Sequence, residues 1–163
     1  MTAKRTEDIY NWLEQVKDPE VPVLSILDLG IVREVAVGDD QSITITITPT
    51  YSGCPAMDVI GQQIRMALAG RGFTQIKIEL QLKPAWTTDW MTETGKQKLK
   101  AYGIAPPQRL AKNPLALFED DIIPCPNCDS TDTDLVSNFG ATSCKALYKC
   151  NACHEPFEHF KCH

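Results

Sequence analysis

The sequence lacks long apolar runs and an excess of positive charge, and each absence excludes a class of function. No stretch reaches the roughly 18 consecutive apolar residues that a membrane-spanning helix needs. The first residues, MTAKRTEDIYNW, have no apolar segment of the kind found in signal peptides. The 16 basic and 21 acidic side chains give a net charge of −5, which disfavours binding to nucleic acid or to an anionic membrane surface. We therefore expect a cytoplasmic protein that binds neither.

Histidine and cysteine are nearly absent from the first 124 residues. All three histidines lie among the last ten residues, and Cys54 is the only cysteine before Cys125. A cysteine hydrolase needs a base beside its thiol, so papain-like catalysis at Cys54 is disfavoured. Because cytoplasmic thiols stay reduced, the seven cysteines are predicted to be metal ligands or reactive groups rather than disulfides.

The first hundred residues show helical and strand patterns in the order α-β-β-α-β-α. Apolar residues at helical spacing follow Thr6, whose side chain and acidic neighbours predict a helix start. Strict alternation of isoleucine with serine or threonine over 42–48 predicts a half-buried strand, paired with a strand over 31–37. The last helix is predicted to end near Tyr102. The fold class is therefore α+β, a small two-layer sandwich on a mixed sheet, followed by a C-terminal zinc-ribbon module.

The cysteine and proline distribution predicts three segments. We expect an α+β domain over residues 1–105, a proline-rich linker over 106–120 and a zinc-ribbon domain over 121–163. The last segment carries three lysines against six carboxylates, a net charge of −3. A ribbon that grips nucleic acid would carry the opposite sign. The ribbon is therefore predicted to face protein partners.

Two Cys-x2-Cys pairs separated by 21 residues form the strongest motif: Cys125, Cys128, Cys150 and Cys153. Two such turns joined by a hairpin bring four thiolates into a tetrahedron, which suits a structural zinc ion. The same four sulfurs could hold a [2Fe–2S] cluster instead, and the sequence leaves that alternative open.

Two further cysteines, Cys144 and Cys162, lie near the four-cysteine motif. Cys144 precedes Cys150 by six residues, so a continuous strand would place both side chains on one face. One interpretation is a packed thiol near the metal. The other is an auxiliary pair that handles a second metal or cluster.

Cys54 lies at the predicted start of the second helix, between Gly53 and Pro55. The positive end of a helix favours a thiolate, so this position predicts a lowered pKa for Cys54. The alternative is a small buried side chain beside a loop. Trp86 and Trp90 present a similar choice, between core packing and an exposed patch for a partner.

Several short segments together resemble the PaaD family, small accessory proteins of the bacterial phenylacetate-degradation multicomponent system. The N-terminal segments are 18–22 (DPEVP), 28–32 (DLGIV), 48–55 (TPTYSGCP) and 84–91 (PAWTTDWM). The C-terminal segments are 139–150 (FGATSCKALYKC) and 155–162 (EPFEHFKC). About the first 105 residues also resemble the iron–sulfur assembly factors that include SufT, which share the Asp-Pro-Glu loop and the cysteine after the second strand.

The resemblance implies a role in phenylacetyl-CoA epoxidation, where a di-iron oxygenase receives electrons from a flavin and [2Fe–2S] reductase. It implies a non-catalytic maturation factor that assists iron–sulfur cluster assembly or transfer to the reductase, with the reductase and oxygenase components as partners. Cys54, Asp18 and Glu20 are the candidates for holding a transient cluster. The alternative is a structural or regulatory subunit of the oxygenase complex, with a purely architectural zinc. The sequence leaves a homodimer open.

Overall fold

The computed structural model describes residues 2–38, 42–108 and 122–161, which form parts of two compact units, residues 1–95 and residues 96–163. Most of the predicted linker over 106–120 lies outside the described residues. The two units divide after residue 95, whereas the sequence predicts a domain boundary after residue 105. The predicted domain bounds stay a prediction.

The predicted order of elements is confirmed, and these are their bounds: α1 (Thr2–Leu13), β1 (Val32–Val37), β2 (Ser42–Ile47), α2 (Ala56–Ala69), β3 (Gln75–Leu80) and α3 (Glu93–Tyr102). Helix α1 begins at Thr2, four residues before the predicted start at Thr6. A single 3-10 turn, Thr88–Trp90, precedes α3. Helix α3 crosses the division between the two units.

The first sheet has the strand order β1-β2-β3 and one polar face. Strand β2 pairs antiparallel with β1 and parallel with β3, which makes the sheet mixed. Ile43, Ile45 and Ile47 of β2 are at most 1% exposed, whereas the intervening threonines are half-buried. On neighbouring β3, Lys77 and Glu79 form an exposed ion pair. The alternating pattern therefore buries one face under helices, as a two-layer sandwich requires.

Buried polar contacts fix the long connection between α1 and β1. Asp28 is 4% exposed and its carboxylate accepts hydrogen bonds from the Ser25 backbone N–H and the Thr92 hydroxyl. The Trp86 indole N–H donates to the Leu29 carbonyl at 2.8 Å, and Trp86 is 3% exposed. The packing interpretation is therefore confirmed for Trp86.

Trp90 is half-buried rather than part of the core. The Arg33 guanidinium lies 3.6 Å from the centre of its ring, as a cation–π contact. The Trp90 backbone also packs against Gly30, where an added Cβ would lie 2.3 Å from the Trp90 carbonyl oxygen. The tryptophan thus closes the loop that leads into β1.

The second unit contains the predicted ribbon. Its strands are β4 (Ile104–Ala105), β5 (Thr133–Ser137), β6 (Lys145–Cys150) and β7 (Pro156–Phe160), in the sheet order β4-β7-β6-β5. Strands β5, β6 and β7 pair antiparallel, and β4 adds a parallel strand beside β7. The core combines apolar side chains with two of the paired cysteines: Ala105, Ile123, Cys125, Cys150 and Phe157.

Among the described residues, no helix has both the length and the apolar character needed to cross a membrane.

Candidate functional site

The four predicted metal-binding cysteines come together in the second unit. The sulfur atoms of Cys125, Cys128, Cys150 and Cys153 all lie within 4.8 Å of one another. The Cys125–Cys153 and Cys128–Cys150 sulfur distances are 3.7 Å and 3.6 Å. A tetrahedral ion with metal–sulfur bonds of ~2.3 Å separates its sulfurs by ~3.8 Å. The donor set and its spacing therefore fit one tetrahedral thiolate-bound metal ion.

Each Cys-x2-Cys pair forms the same turn. The backbone N–H of Cys125 donates to the Ser130 carbonyl at 2.9 Å, and that of Cys150 donates to the Glu155 carbonyl at 3.0 Å. The residue after the second cysteine has a left-handed backbone in both turns, with φ of 59° at Asp129 and 64° at His154. Because glycine usually occupies such positions, residue types alone do not predict this repeat.

The clustered thiols differ in pKa. The Cys153 N–H points at the Cys150 sulfur from 3.5 Å. This hydrogen bond, more than any other contact, lowers the pKa of Cys150 to about 7. Backbone hydrogen bonds to Cys153 and Cys128 act in the same direction, but burial and the neighbouring sulfurs outweigh them: they raise the pKa of Cys153 and raise that of Cys128 to about 12. Metal ligation needs deprotonated thiols, so of these three only Cys150 is favoured in its ligating form before a metal binds.

Cys144 does not belong to the group of four sulfurs. It is 3% exposed, directly precedes β6, and its sulfur lies 3.0 Å from the Thr142 hydroxyl oxygen. Cys162 lies outside the described residues. The auxiliary role of this pair of cysteines stays a prediction.

Cys54 lies in the loop between β2 and α2, two residues before the helix begins at Ala56. Its side chain is buried, at 9% exposure. The backbone N–H of Ala56 and the side chain of Tyr51 both hydrogen-bond to its sulfur. The tight turn depends on Gly53, whose φ of 77° favours glycine. The sequence did not point to Tyr51, because a tyrosine in a loop has no spacing signal.

The prediction of a lowered pKa for Cys54 is wrong, since the structure raises it. Burial is the largest cause, and the negative charges of Glu20 and Asp18 add to it. The Ala56 and Tyr51 hydrogen bonds act in the opposite direction but do not outweigh burial. An isolated thiol here is therefore protonated at neutral pH. Glu20 and Asp18 are therefore close enough to Cys54 for their charges to affect its pKa.

Asp18 also has a structural task in its loop. Its side chain is buried, and one carboxylate oxygen accepts hydrogen bonds from the backbone N–H groups of Glu20 and Val21, both at 2.8 Å. This is an Asx turn, which explains why an aspartate precedes the proline-containing segment. The turn holds Glu20, which is half-buried, on the Cys54 side of the unit.

Family models match both units. The model described as "Iron-sulfur cluster assembly protein" matches residues 6–79, and the one described as "PaaD zinc beta ribbon domain" matches residues 111–161. The first match includes Asp18, Glu20 and Cys54, and the second includes all four clustered cysteines.

Similar proteins fall into a group that covers both units and a group that covers the first. A protein of Escherichia coli (strain K12), named as one of the subunits of a "Putative 1,2-phenylacetyl-CoA epoxidase", is 47% identical over 97% of this chain and 93% of its own length. A "Fe-S protein maturation auxiliary factor" of Porphyromonas gingivalis is 40% identical over 57% of this chain and 89% of its own. A crystal structure of a domain of unknown function, DUF59, from Bacillus anthracis has a TM-score of 0.54 and 28% identity, over 57% of this chain and 89% of its own.

Proposed function

This chain belongs to the PaaD family, and from that membership we propose that it is a non-catalytic accessory factor of a phenylacetyl-CoA epoxidase system. Its task is to assist iron–sulfur cluster assembly, or cluster transfer to the reductase component. The names of its relatives support both halves of the proposal, since they include an epoxidase subunit and iron–sulfur maturation factors. The work takes place in the cytoplasm, where thiols stay reduced.

The observation that carries the proposal is the group of charges around Cys54. Burial raises the pKa of the Cys54 thiol, and the negative charges of Glu20 and Asp18 add to this effect. Negative groups that oppose a thiolate favour a cation at the same place. In our proposal, Cys54 ligates iron of the cargo as its proton leaves. The Asp18 and Glu20 carboxylates then stabilise the positive charge of the bound iron.

The remaining contacts of Cys54 suit transient rather than permanent binding. When no cargo is bound, the Ala56 N–H and the Tyr51 side chain form hydrogen bonds with the Cys54 sulfur. A soft thiolate binds iron–sulfur units well, but one cysteine supplies few of the ligands that a resident cluster needs. We therefore propose that the cargo is handed on.

We assign the four-cysteine site a structural zinc, held by Cys125, Cys128, Cys150 and Cys153. The spacing supports this assignment, because four sulfurs within 4.8 Å suit one ion better than two irons, which would hold the cysteines as separated pairs. The ion would contribute folding free energy to a unit with a small core. Purified protein should contain about one zinc per chain. Iron with acid-labile sulfide would reassign the four cysteines.

Replacing Cys54 by serine tests the assembly role, with Met57→Leu as the control at a neighbouring buried side chain to which no role is assigned. In cells that express each variant, we expect the reductase to lose iron and sulfide with Cys54→Ser and to retain both with Met57→Leu. Association of the epoxidase components should be unchanged in both. A reductase with its full cluster content and activity in Cys54→Ser cells would refute the assembly role.

A structural or regulatory subunit is the second candidate function. The burial of Cys54 favours it, since a packed thiol needs no cargo. In that case Cys54→Ser would leave the reductase cluster intact, and loss of the whole chain would disrupt association of the components. The two candidates therefore differ in which measurement changes.

A further inference from the structure

Strand β3 lies at an edge of the first sheet. In the order β1-β2-β3 it pairs with β2 on one side, and no other described strand lies on its second side. The Gln81 N–H donates to the Ile47 carbonyl of β2 at 2.9 Å. Because neighbouring residues of a strand direct their backbone groups to opposite sides, Ile78 and Leu80 direct theirs to the open side. A further strand can therefore hydrogen-bond to β3 there.

The apolar side chains of β3 are only partly covered. Ile76, Ile78 and Leu80 are in register with the three buried isoleucines of β2, so they lie on the same face of the sheet. Ile76 and Ile78 are half-buried, whereas Leu80 is 60% exposed. The apolar face therefore continues to the edge of the sheet.

Two charged side chains alternate with the apolar residues of β3. Lys77 and Glu79 form an exposed ion pair along the strand. Opposite charges two positions apart are self-complementary when a strand pairs antiparallel with its own copy. If Ile78 is the centre of such a pair, Lys77 of each copy lies opposite Glu79 of the other, and Ile76 lies opposite Leu80. Opposite charges and apolar side chains that face each other across two strands stabilise the pair.

Other registers lose this match. Moving the centre by one residue places Lys77 opposite Lys77, or Glu79 opposite Glu79, and like charges directly opposite one another are destabilising. Moving it by two residues leaves both charges without an opposite charge to face. The hydrogen-bond pattern also fits a centre at Ile78, whose outward backbone groups let the central pair exchange two hydrogen bonds. The charged pairs then occupy the non-hydrogen-bonded positions, where side chains lie closer together.

We propose that β3 pairs antiparallel with β3 of a second copy of this chain, across a two-fold axis at Ile78. The pairing joins the two three-stranded sheets into one continuous sheet. Leu80 of each copy covers Ile76 of the other. It also faces the groove of about 510 Å³ that borders Ile76 and is lined by Ile43 and Arg65. Because both chains use the same surface, every favourable contact occurs twice.

Charge reversal tests this register, with sedimentation of the full chain over a range of concentrations as the measurement. Wild-type protein should show a monomer–dimer equilibrium. Lys77→Glu and Glu79→Lys each place like charges opposite one another at both symmetry-related positions, so each should raise the dimer dissociation constant at least about tenfold. Glu34→Lys is the matched control, because it makes the same charge change at an exposed residue of β1, the other edge strand. It should dimerise like wild type.

Two combinations show whether the charges act as a pair. The double variant Lys77→Glu/Glu79→Lys restores opposite charges and should dimerise like wild type. A mixture of the Lys77→Glu chain with the Glu79→Lys chain should form a mixed dimer, although neither chain dimerises well alone. Recovery in either case also shows that the single variants are folded.

Three results would overturn the proposal. A wild-type chain that stays monomeric would leave the edge of β3 to another protein. A dimer that neither single reversal weakens would place the contact elsewhere on the chain. Failure of the double variant and of the mixture to recover dimerisation would refute the register. None of these results bears on the assembly role, which is tested separately by the cluster content of the reductase with Cys54→Ser.

Discussion

Replacing Glu158 by glutamine should selectively destabilise the second unit. The side chains of Lys145 and Glu158 are only 6% and 23% exposed, and the Lys145 Nζ donates to Glu158 Oε2 at 2.7 Å. The second oxygen, Oε1, accepts from the Ala141 N–H. Glutamine has one oxygen for these two donors. In either orientation its amide N–H₂ group faces a donor, and the buried ammonium loses its counter-charge.

The size of the effect follows from the burial of the pair. Removing one partner of a buried ion pair costs about 3–5 kcal/mol, and the partial exposure of Glu158 lets water recover some of it. We therefore expect Glu158→Gln to lower the free energy of unfolding by about 2–3 kcal/mol. Lys145→Met should cost less, because the carboxylate left unpaired is more exposed than the ammonium and keeps the Ala141 N–H as a donor. The double variant should cost less than the sum of the two single changes, with a coupling of about 1–2 kcal/mol.

The two units can be followed by separate signals. All three tryptophans, Trp12, Trp86 and Trp90, lie in the first unit, so tryptophan fluorescence in urea reports that unit alone. Release of metal to a chromogenic chelator reports the second unit. Glu158→Gln should lower the metal-release midpoint by about 1–2 M urea and leave the fluorescence midpoint unchanged. Equal metal-release midpoints for Glu158→Gln and wild type would refute the reasoning.

The same pair predicts how the effect depends on pH. Burial opposes ionisation of Glu158, but the Lys145 ammonium and the Ala141 N–H outweigh it and hold the pKa of Glu158 below its usual 4.5. The stabilisation is therefore fully present above pH 4.5 and is lost as the pH falls through the lower folded value. Protonation of the metal ligands affects both chains alike. The difference between wild type and Glu158→Gln should accordingly close below about pH 4.5.

Three further predictions concern the thiol, the glycines and the metal. Alkylation of Cys54, followed by mass spectrometry, should have a midpoint above pH 9.0, because the pKa of this thiol is raised. Asp18→Asn should lower this midpoint, because it removes one negative charge and retains the Asx acceptor. An unchanged midpoint in Asp18→Asn would contradict the prediction. Gly30→Ala should lower the stability of the first unit by about 3 kcal/mol or more, seen as a lower fluorescence midpoint, because of the positive φ and a clash of the added Cβ with the Trp90 backbone. Gly72→Ala should cost only about 1–2 kcal/mol, because Gly72 also has a positive φ but has open space around it. Equal costs for the two variants would refute the clash. Chelation of the metal should unfold residues 96–163, seen as lost circular dichroism and lost amide protection there, and leave tryptophan fluorescence unchanged.

Periodicity made most of the fold predictable. The isoleucine alternation in β2 and the two Cys-x2-Cys pairs each fix a local structure whose burial or ligation follows from spacing alone. Strand β4 had no such signal, because its two residues pair with β7 more than fifty positions later in the chain. The polar network at Asp28 was equally invisible, since its donors come from separate segments. Contacts between distant segments decide these features.

The pKa of Cys54 was mispredicted for the same reason, and its sign changes how the proposed site would work. A thiolate at a helix start would react with oxidants whether or not cargo was present. Burial and the carboxylates of Asp18 and Glu20 instead keep the thiol protonated, and hence poorly reactive, while the site is empty. An incoming iron cation would reverse the balance, because the carboxylates that oppose a thiolate attract the metal that stabilises one. In the proposed role, Asp18 and Glu20 therefore help to keep Cys54 protonated until iron arrives, so that the reactive thiolate forms only when the cargo binds.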